Sequence, residues 1–205
     1  MPTLSPSIRR AGVAAALLLA ALAAAAIAWF RPAPAPALGA IDLSDARYAQ
    51  DFRLQDPQGE WRTLADYRGR VVMLFFGFTQ CPDVCPAAMA KAVQARQQLG
   101  AQADQVQLVF VSLDPERDSG PILRAFADAF GEGITPLRGD VDLTRRTAEA
   151  FKVFYRKVPL AGSYTLDHSV MVYLYDRQGR VRRALPPTLD AAGQAAELRT
   201  VLSLS

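Results

Sequence analysis

Sulfur and imidazole are scarce in this chain: 205 residues hold two cysteines, four methionines and one histidine. Two cysteines close at most one disulfide, so no multi-bridge framework holds the protein together. The methionines are dispersed, which excludes a metal site built from clustered thioethers. Neither sign of charge dominates beyond the N-terminal region. Three of the 23 basic residues and none of the 20 acidic ones lie in residues 1–40, leaving 20 of each in residues 41–205. The net charge of +3 therefore belongs to the N-terminal segment, and the balanced remainder argues against nucleic acid as a partner. Internal repeats are absent, and low complexity is confined to the first forty residues.

That first segment stands apart. Arg9 and Arg10 precede Ala11 to Phe30, twenty uncharged residues, and Arg31 and a Pro-Ala-Pro-Ala-Pro run (32–36) follow. About twenty apolar residues span one bilayer, and arginines on the short side favour an N-inside orientation. The expected organisation is a cytoplasmic N-terminus (1–10), a transmembrane anchor (11–30), a stiff Pro/Ala linker (31–40) and one domain (41–205) outside the cytoplasm. A cleaved signal peptide is the competing reading, although its apolar stretch is usually only about 7–15 residues. No cysteine lies near this segment, so a lipid-modified N-terminus is not expected. Both readings export the domain.

Both cysteines sit in one loop, Phe78-Thr79-Gln80-Cys81-Pro82-Asp83-Val84-Cys85-Pro86. Upstream, Val71 to Phe78 is a continuous apolar run, as in a central strand buried on both faces. Downstream, Ala87 to Leu99 is rich in helix formers and stops at Gly100. Proline favours the first helical position and pushes the preceding residue out of helical geometry, so Cys85 is expected to be extended or at the cap. The positive end of the helix is then expected to favour thiolate at both sulfurs. In an oxidising compartment a close thiol pair becomes a disulfide unless it is reduced or metallated. As a staple it contributes little, since closing so short a loop is worth only about 2 kcal/mol. Two thiolates and an imidazole suit monovalent copper, zinc or a redox disulfide, and the residues alone leave these open.

The remaining chain alternates strands and helices. A small hairpin (52–54 with 60–63) precedes the strand 71–78 and the helix 86–99. Gln105 to Leu113 is a second buried strand that leaves the sheet at Pro115. A helix (121–130), a short strand (134–137) and a helix (142–154) come next. His168 to Asp176 is expected as one strand, Val181 to Leu185 as its hairpin partner, and Asp190 to Leu202 as a helix capped by Asp190. This order implies an α/β core. With the cysteines between the first core strand and first helix, it implies a thioredoxin-like fold with an insertion after the second strand, preceded by the anchor. On that scaffold the strand opened by His168 lies beside 71–78, with its start near the cysteine loop. A lone histidine is as readily a surface or core residue. Asp83 suits a turn, or else tunes the cysteines or touches a partner. Asp114 and Arg117 suit a turn or an ion pair, and Met73, Met89 and Met171 suit the core.

Three segments, Gly77-Phe78-Thr79-Gln80-Cys81-Pro82-Asp83-Val84-Cys85-Pro86, Val111-Ser112-Leu113-Asp114-Pro115-Glu116-Arg117-Asp118 and Tyr164-Thr165-Leu166-Asp167-His168-Ser169, resemble the Sco/SenC family. The resemblance runs over residues 45–203 and extends to the N-terminal anchor. It implies a membrane-anchored, thioredoxin-like metallochaperone of the inner membrane, its domain in the periplasm, delivering copper to the dinuclear copper centre of cytochrome c oxidase. It implies Cys81, Cys85 and His168 as ligands of Cu(I), with Cu(II) as a second candidate state. The implied partners are the copper-bearing oxidase subunit, other periplasmic copper carriers and thiol reductants. Asp167 or a nearby carbonyl is the candidate orienting group for the imidazole. The alternative is a thiol–disulfide reductase whose Cys81–Cys85 pair keeps the partner's cysteines reduced. Against a general oxidoreductase stand the Cys-x-x-x-Cys spacing and Asp167-His168 where thioredoxins carry a cis-proline. A peroxidase on the same scaffold leaves the His168 match unexplained.

Overall fold

The structure, a computed structural model, describes residues 39–204 together with the single residue Ala20. The expected N-terminus, anchor and most of the linker lie outside the described residues. Among those described, no helix is long and apolar enough to cross a membrane.

Six strands form the main sheet. They are β1 (Ile41–Asp42), β4 (Val71–Gly77), β5 (Val106–Ser112), β6 (Ile134–Leu137), β9 (Val172–Tyr175) and β10 (Val181–Leu185), in the order β1-β10-β9-β4-β5-β6. β4, β5 and β6 run parallel, while β9 is antiparallel to both β4 and β10. Every residue of β4, β5 and β9 is buried, which is what their unbroken apolar runs require of central strands. A two-stranded hairpin, β2 (Leu54–Gln55) with β3 (Trp61–Arg62), bridges to the end of β6 through Gln55 and Arg138. The connecting helices are α1 (Val84–Gln97), α2 (Gly120–Asp128), α3 (Val141–Ala150) and α4 (Ala191–Ser203). α1 packs on α4, where the Arg199 guanidinium donates to the Gln98 carbonyl at 2.7 Å. Asp190 caps α4 by accepting from the Gly193 N–H, as expected, and Asp140 caps α3 in the same way.

Two expectations are corrected. His168 does not open a strand but ends one. β7 (Tyr155–Leu160) and β8 (Ser163–His168) form a separate antiparallel hairpin, and residues 169–171 carry the chain from it into β9. β7 has no buried residue and β8 buries only Leu166, as suits a two-stranded ribbon at the surface, whereas β9 is apolar enough to be covered on both sides. Cys85 is not extended either: α1 begins at Val84, and the Ala87 N–H donates to the Asp83 carbonyl at 3.0 Å. Pro86 is tolerated because first-turn N–H groups have no intrahelical partner to lose. Cys85 accepts the steric restriction that precedes proline because its own N–H donates to Cys81 Sγ at 3.3 Å.

Candidate metal centre

β4 ends at Gly77, and the chain passes through Phe78 and Thr79 to Cys81, then enters α1 with Cys85 in its first turn. Val172 at the start of β9 pairs with Phe75, so the segment just before it lies beside the carboxyl end of β4. This places His168 Nε2 3.3 Å from Cys85 Sγ. Ser169 fastens the junction, its N–H donating to the Phe154 carbonyl and its hydroxyl accepting from the Phe154 N–H.

The imidazole is held on three sides. The rings of Phe75 and Phe78 meet it edge-on, with centroids 6.2 and 5.8 Å away. Its Nδ1 lies 2.8 Å from the Ser169 carbonyl. A carbonyl only accepts, so Nδ1 carries the proton and Nε2 turns its lone pair to the sulfur. Burial pushes the His168 pKa down, with the Ser169 carbonyl and the Asp167 charge opposing, so the ring is neutral at neutral pH. Of the two candidate orienting groups, the carbonyl does the work. The Asp167 carboxylate turns away to the guanidinium of Arg156 across the hairpin, at 2.7 Å.

Cys85 is fully buried, Cys81 partly, and neither is in a disulfide. Burial pushes the Cys85 thiol up, and the nearby Cys81 and Asp118 raise it further against a hydrogen bond from the Phe78 backbone. At this position burial works against the expected thiolate. With the ring proton on Nδ1, the Cys85 S–H is the donor in the contact with Nε2. Asp83 occupies the N-cap of α1, exposed, and its side chain makes no capping bond. Asp114 and Arg117 form the expected ion pair at 2.5 Å, and Met73 and Met89 are buried in the core.

Among the described residues no three metal-ligating side chains converge as they stand. Cys85 and His168 meet directly, and Cys81 Sγ faces the Cys85 N–H one turn away. Two sulfurs and a neutral imidazole at a helix start fit a soft cation that takes the place of the shared proton. Several contributors escape a sequence reading. Gly77 leaves room for the sulfur, since a Cβ there would stand 2.9 Å from Cys85 Sγ. Asp118, buried, accepts from the Thr79 N–H and hydroxyl and from the Ser112 hydroxyl, under the cysteine loop.

The SCO1/SenC family model matches residues 42–203. The chain belongs to that family. Among SCO proteins, the human mitochondrial SCO2 homologue is 35% identical over 164 residues, covering 75% of this chain and 62% of the relative. The chain thus spans about three-fifths of that relative's length. Bradyrhizobium japonicum ScoI, solved with copper bound, superposes with a TM-score of 0.67 at 33% identity, covering 74% of this chain and 98% of ScoI. Apo Sco1 from Thermus thermophilus gives 0.66 at 35% identity, covering 74% and 90%. The mixed α/β, thioredoxin-like architecture of the Sco proteins is the architecture of this one.

Proposed function

We propose that this protein is a membrane-anchored copper chaperone, holding Cu(I) through Cys81, Cys85 and His168 and passing it to the dinuclear copper centre of cytochrome c oxidase. The observation that carries the reading is the Cys85 Sγ to His168 Nε2 approach of 3.3 Å, with the tautomer set by Ser169. ScoI, one of its structural relatives, binds copper, and the Sco family is one of cytochrome c oxidase assembly proteins. Bound copper supplies a soft, exchangeable centre. Cys81, the more exposed sulfur, is the one a partner's thiolate reaches first. The His168 ring, walled by Phe75 and Phe78, keeps water from the buried side. The anchor at 11–30 would hold the domain on the outer face of the inner membrane, beside the oxidase.

The second reading, a thiol–disulfide reductase for the oxidase subunit's cysteines, is favoured by one observation: the two cysteines lie in one turn, Cys81 Sγ accepting from the Cys85 N–H. The two roles share a requirement, because only the dithiol can hold the metal. Mixing the copper-loaded protein anaerobically with the oxidase subunit's copper domain, apo or oxidised, separates them. Metal transfer without disulfide exchange supports the chaperone. Disulfide reduction without metal transfer supports the reductase and overturns it.

A further inference from the structure

The copper ligands come from two pieces of chain that belong to different sheets. Cys81 and Cys85 follow β4 of the main sheet, whereas His168 ends β8 of the β7–β8 hairpin. Backbone pairing therefore does not by itself set the distance between them. A single short turn touches both pieces. Asp114-Pro115-Glu116-Arg117-Asp118 follows β5, and its two aspartates are buried, Asp114 to 1% exposure and Asp118 to 0%.

The turn is closed on itself. The N–H groups of Arg117 and Asp118 donate to the Asp114 carbonyl, at 3.2 and 2.8 Å. Ser112 locks it from below, its hydroxyl donating to Asp118 Oδ2 at 2.6 Å and accepting from the Asp114 N–H at 3.0 Å. The Leu113 N–H donates to the Gly77 carbonyl at 2.7 Å, fastening the base of the turn to the end of β4.

From this rigid piece the two carboxylates face opposite ways. Asp118 holds the cysteine loop, accepting from the Thr79 hydroxyl at 2.6 Å and the Thr79 N–H at 3.1 Å. Asp114 holds the hairpin: Oδ1 accepts from the Tyr164 hydroxyl at 2.7 Å and Oδ2 from Arg117 Nε at 2.5 Å. Arg117 extends the grip. Its guanidinium lies 3.7 Å over the Tyr164 ring and donates to the Tyr164 carbonyl at 2.8 Å. Lys157, on β7, covers the same ring at 4.6 Å and pairs with Glu116 of the turn. Tyr164 stands four residues before His168 on the same strand.

We infer that the Asp114–Asp118 turn is a bracket that sets the spacing of the metal centre, with Asp118 positioning the Cys81–Cys85 loop through Thr79 and Asp114 positioning His168 through Tyr164 and Arg117. These are positioning residues and touch no metal. Both carboxylates are buried and their bonds buried or half-buried, with the Asp114–Arg117 pair charge-assisted, the kind that holds geometry firmly. A centre filled and emptied in each cycle needs its ligands kept in place when the metal has gone, and the bracket's contacts use none of the Cys81, Cys85 or His168 donor atoms. The inference rests on the proposed ligand set, but its first readout needs no copper.

The test uses the purified full-length chain and three substitutions: Tyr164→Phe, Thr79→Val and the conservative control Thr79→Ser. In metal-free protein, 15N NMR of the His168 ring reports the tautomer and the Ser169 bond. Tyr164→Phe is expected to mix the tautomers, while Thr79→Val leaves them unchanged and instead speeds alkylation of Cys85. Thr79→Ser is expected to behave as the parent. With Cu(I) bound, release to a competing chelator is expected to quicken by about tenfold in Tyr164→Phe, the low end for loss of a group that supports a metal ligand. X-ray absorption is expected to show weakened nitrogen coordination with both sulfurs kept. Thermal melts check that each variant folds. Folded variants with parental ring signals, alkylation rates and copper release overturn the bracket. Parental protein that binds no Cu(I) overturns the proposed function instead, and the metal-free readouts still decide the bracket.

Discussion

Cys85 Sγ and His168 Nε2 stand 3.3 Å apart, although 83 residues of chain separate them. The antiparallel pairing of β9 on β4 returns the chain past the strand that delivers the cysteines, and the turn at Asp114–Asp118 ties that loop to the hairpin that carries His168. The contact couples the sulfur and the nitrogen, which meet directly at hydrogen-bond distance. His168→Ala is expected to abolish tight Cu(I) binding while the fold persists, and Cys85→Ser to do the same. Competition with a chromophoric Cu(I) chelator checks both. Retention of parental affinity in either variant would sink the assignment of that residue as a ligand.

Gly77 faces the same sulfur. A Cβ at this position would stand 2.9 Å from Cys85 Sγ, 2.9 Å from the Phe75 ring and 3.0 Å from the Phe110 ring. All of these groups are buried, so none can swing into solvent to make room. Gly77→Ala is expected to cost about 1–3 kcal/mol, as overpacking does. It should also displace Cys85 relative to His168. Urea unfolding measures the first effect, and the copper-loaded spectrum the second. Unchanged stability would mean the strand end yields more readily than its burial implies.

The path from sequence to site was legible where one physical cause acted alone. Val71 to Gly77 has no polar interruption, and only a strand covered on both faces accommodates it, so β4 and its reactive end could be placed directly. The helix start was misplaced because two causes compete at Cys85. Proline disfavours helical geometry in the residue before it, while the first turn forgives the missing N–H and Cys81 Sγ compensates the Cys85 N–H. The β7–β8 hairpin escapes a sequence reading although its turn, Ala161-Gly162, precedes an alternating run (Tyr164, Leu166); Gly162 has a φ of 74°. The missing signal was length. Extending His168 to Asp176 as one strand hid the change of sheet at Ser169. Asp118 was invisible as a support because its role depends on Thr79, 39 residues away, and nothing local marks the pairing.

Phe151 follows α3 and packs where the chain turns toward the hairpin. Its ring meets Phe76 of β4 at 5.0 Å and Tyr173 of β9 at 5.9 Å, both edge-on, and its carbonyl accepts from the Tyr173 hydroxyl at 2.8 Å. The residue is fully buried. Phe151→Ala is expected to cost about 3–5 kcal/mol through lost burial and the cavity left behind. Chemical denaturation followed by circular dichroism measures it. A loss below 1 kcal/mol would mean that this corner collapses to fill the space.

Asp176 contributes to the acid limit of the fold. It sits in the turn between β9 and β10 with its side chain buried. Its Oδ1 accepts from the N–H groups of Gln178 and Arg180, and its Oδ2 from the guanidinium groups of Arg180 and Arg182. Burial alone would raise its pKa, but the Arg180 N–H and the two guanidinium groups more than offset this and hold it below its ordinary value of 3.8. A group whose pKa is lower in the folded state stabilises the fold above its unfolded value. That contribution is lost as pH falls through the folded value. Wild-type stability is thus expected to be level in this respect down to about pH 4 and to decline below it. Asp176→Asn is expected to lose about 1.5–3 kcal/mol at neutral pH, the range for hydrogen bonds to a charged group. The gap between the two proteins should narrow below pH 4, while a residual slope persists from Asp56, whose pKa is lowered by Arg62 and by the backbone of Glu60 and Gln58 against its own burial. Urea titrations from pH 7 to pH 2.5 on both proteins test this. A difference that stays constant across that range would show that Asp176 stabilises the turn through its shape rather than its charge.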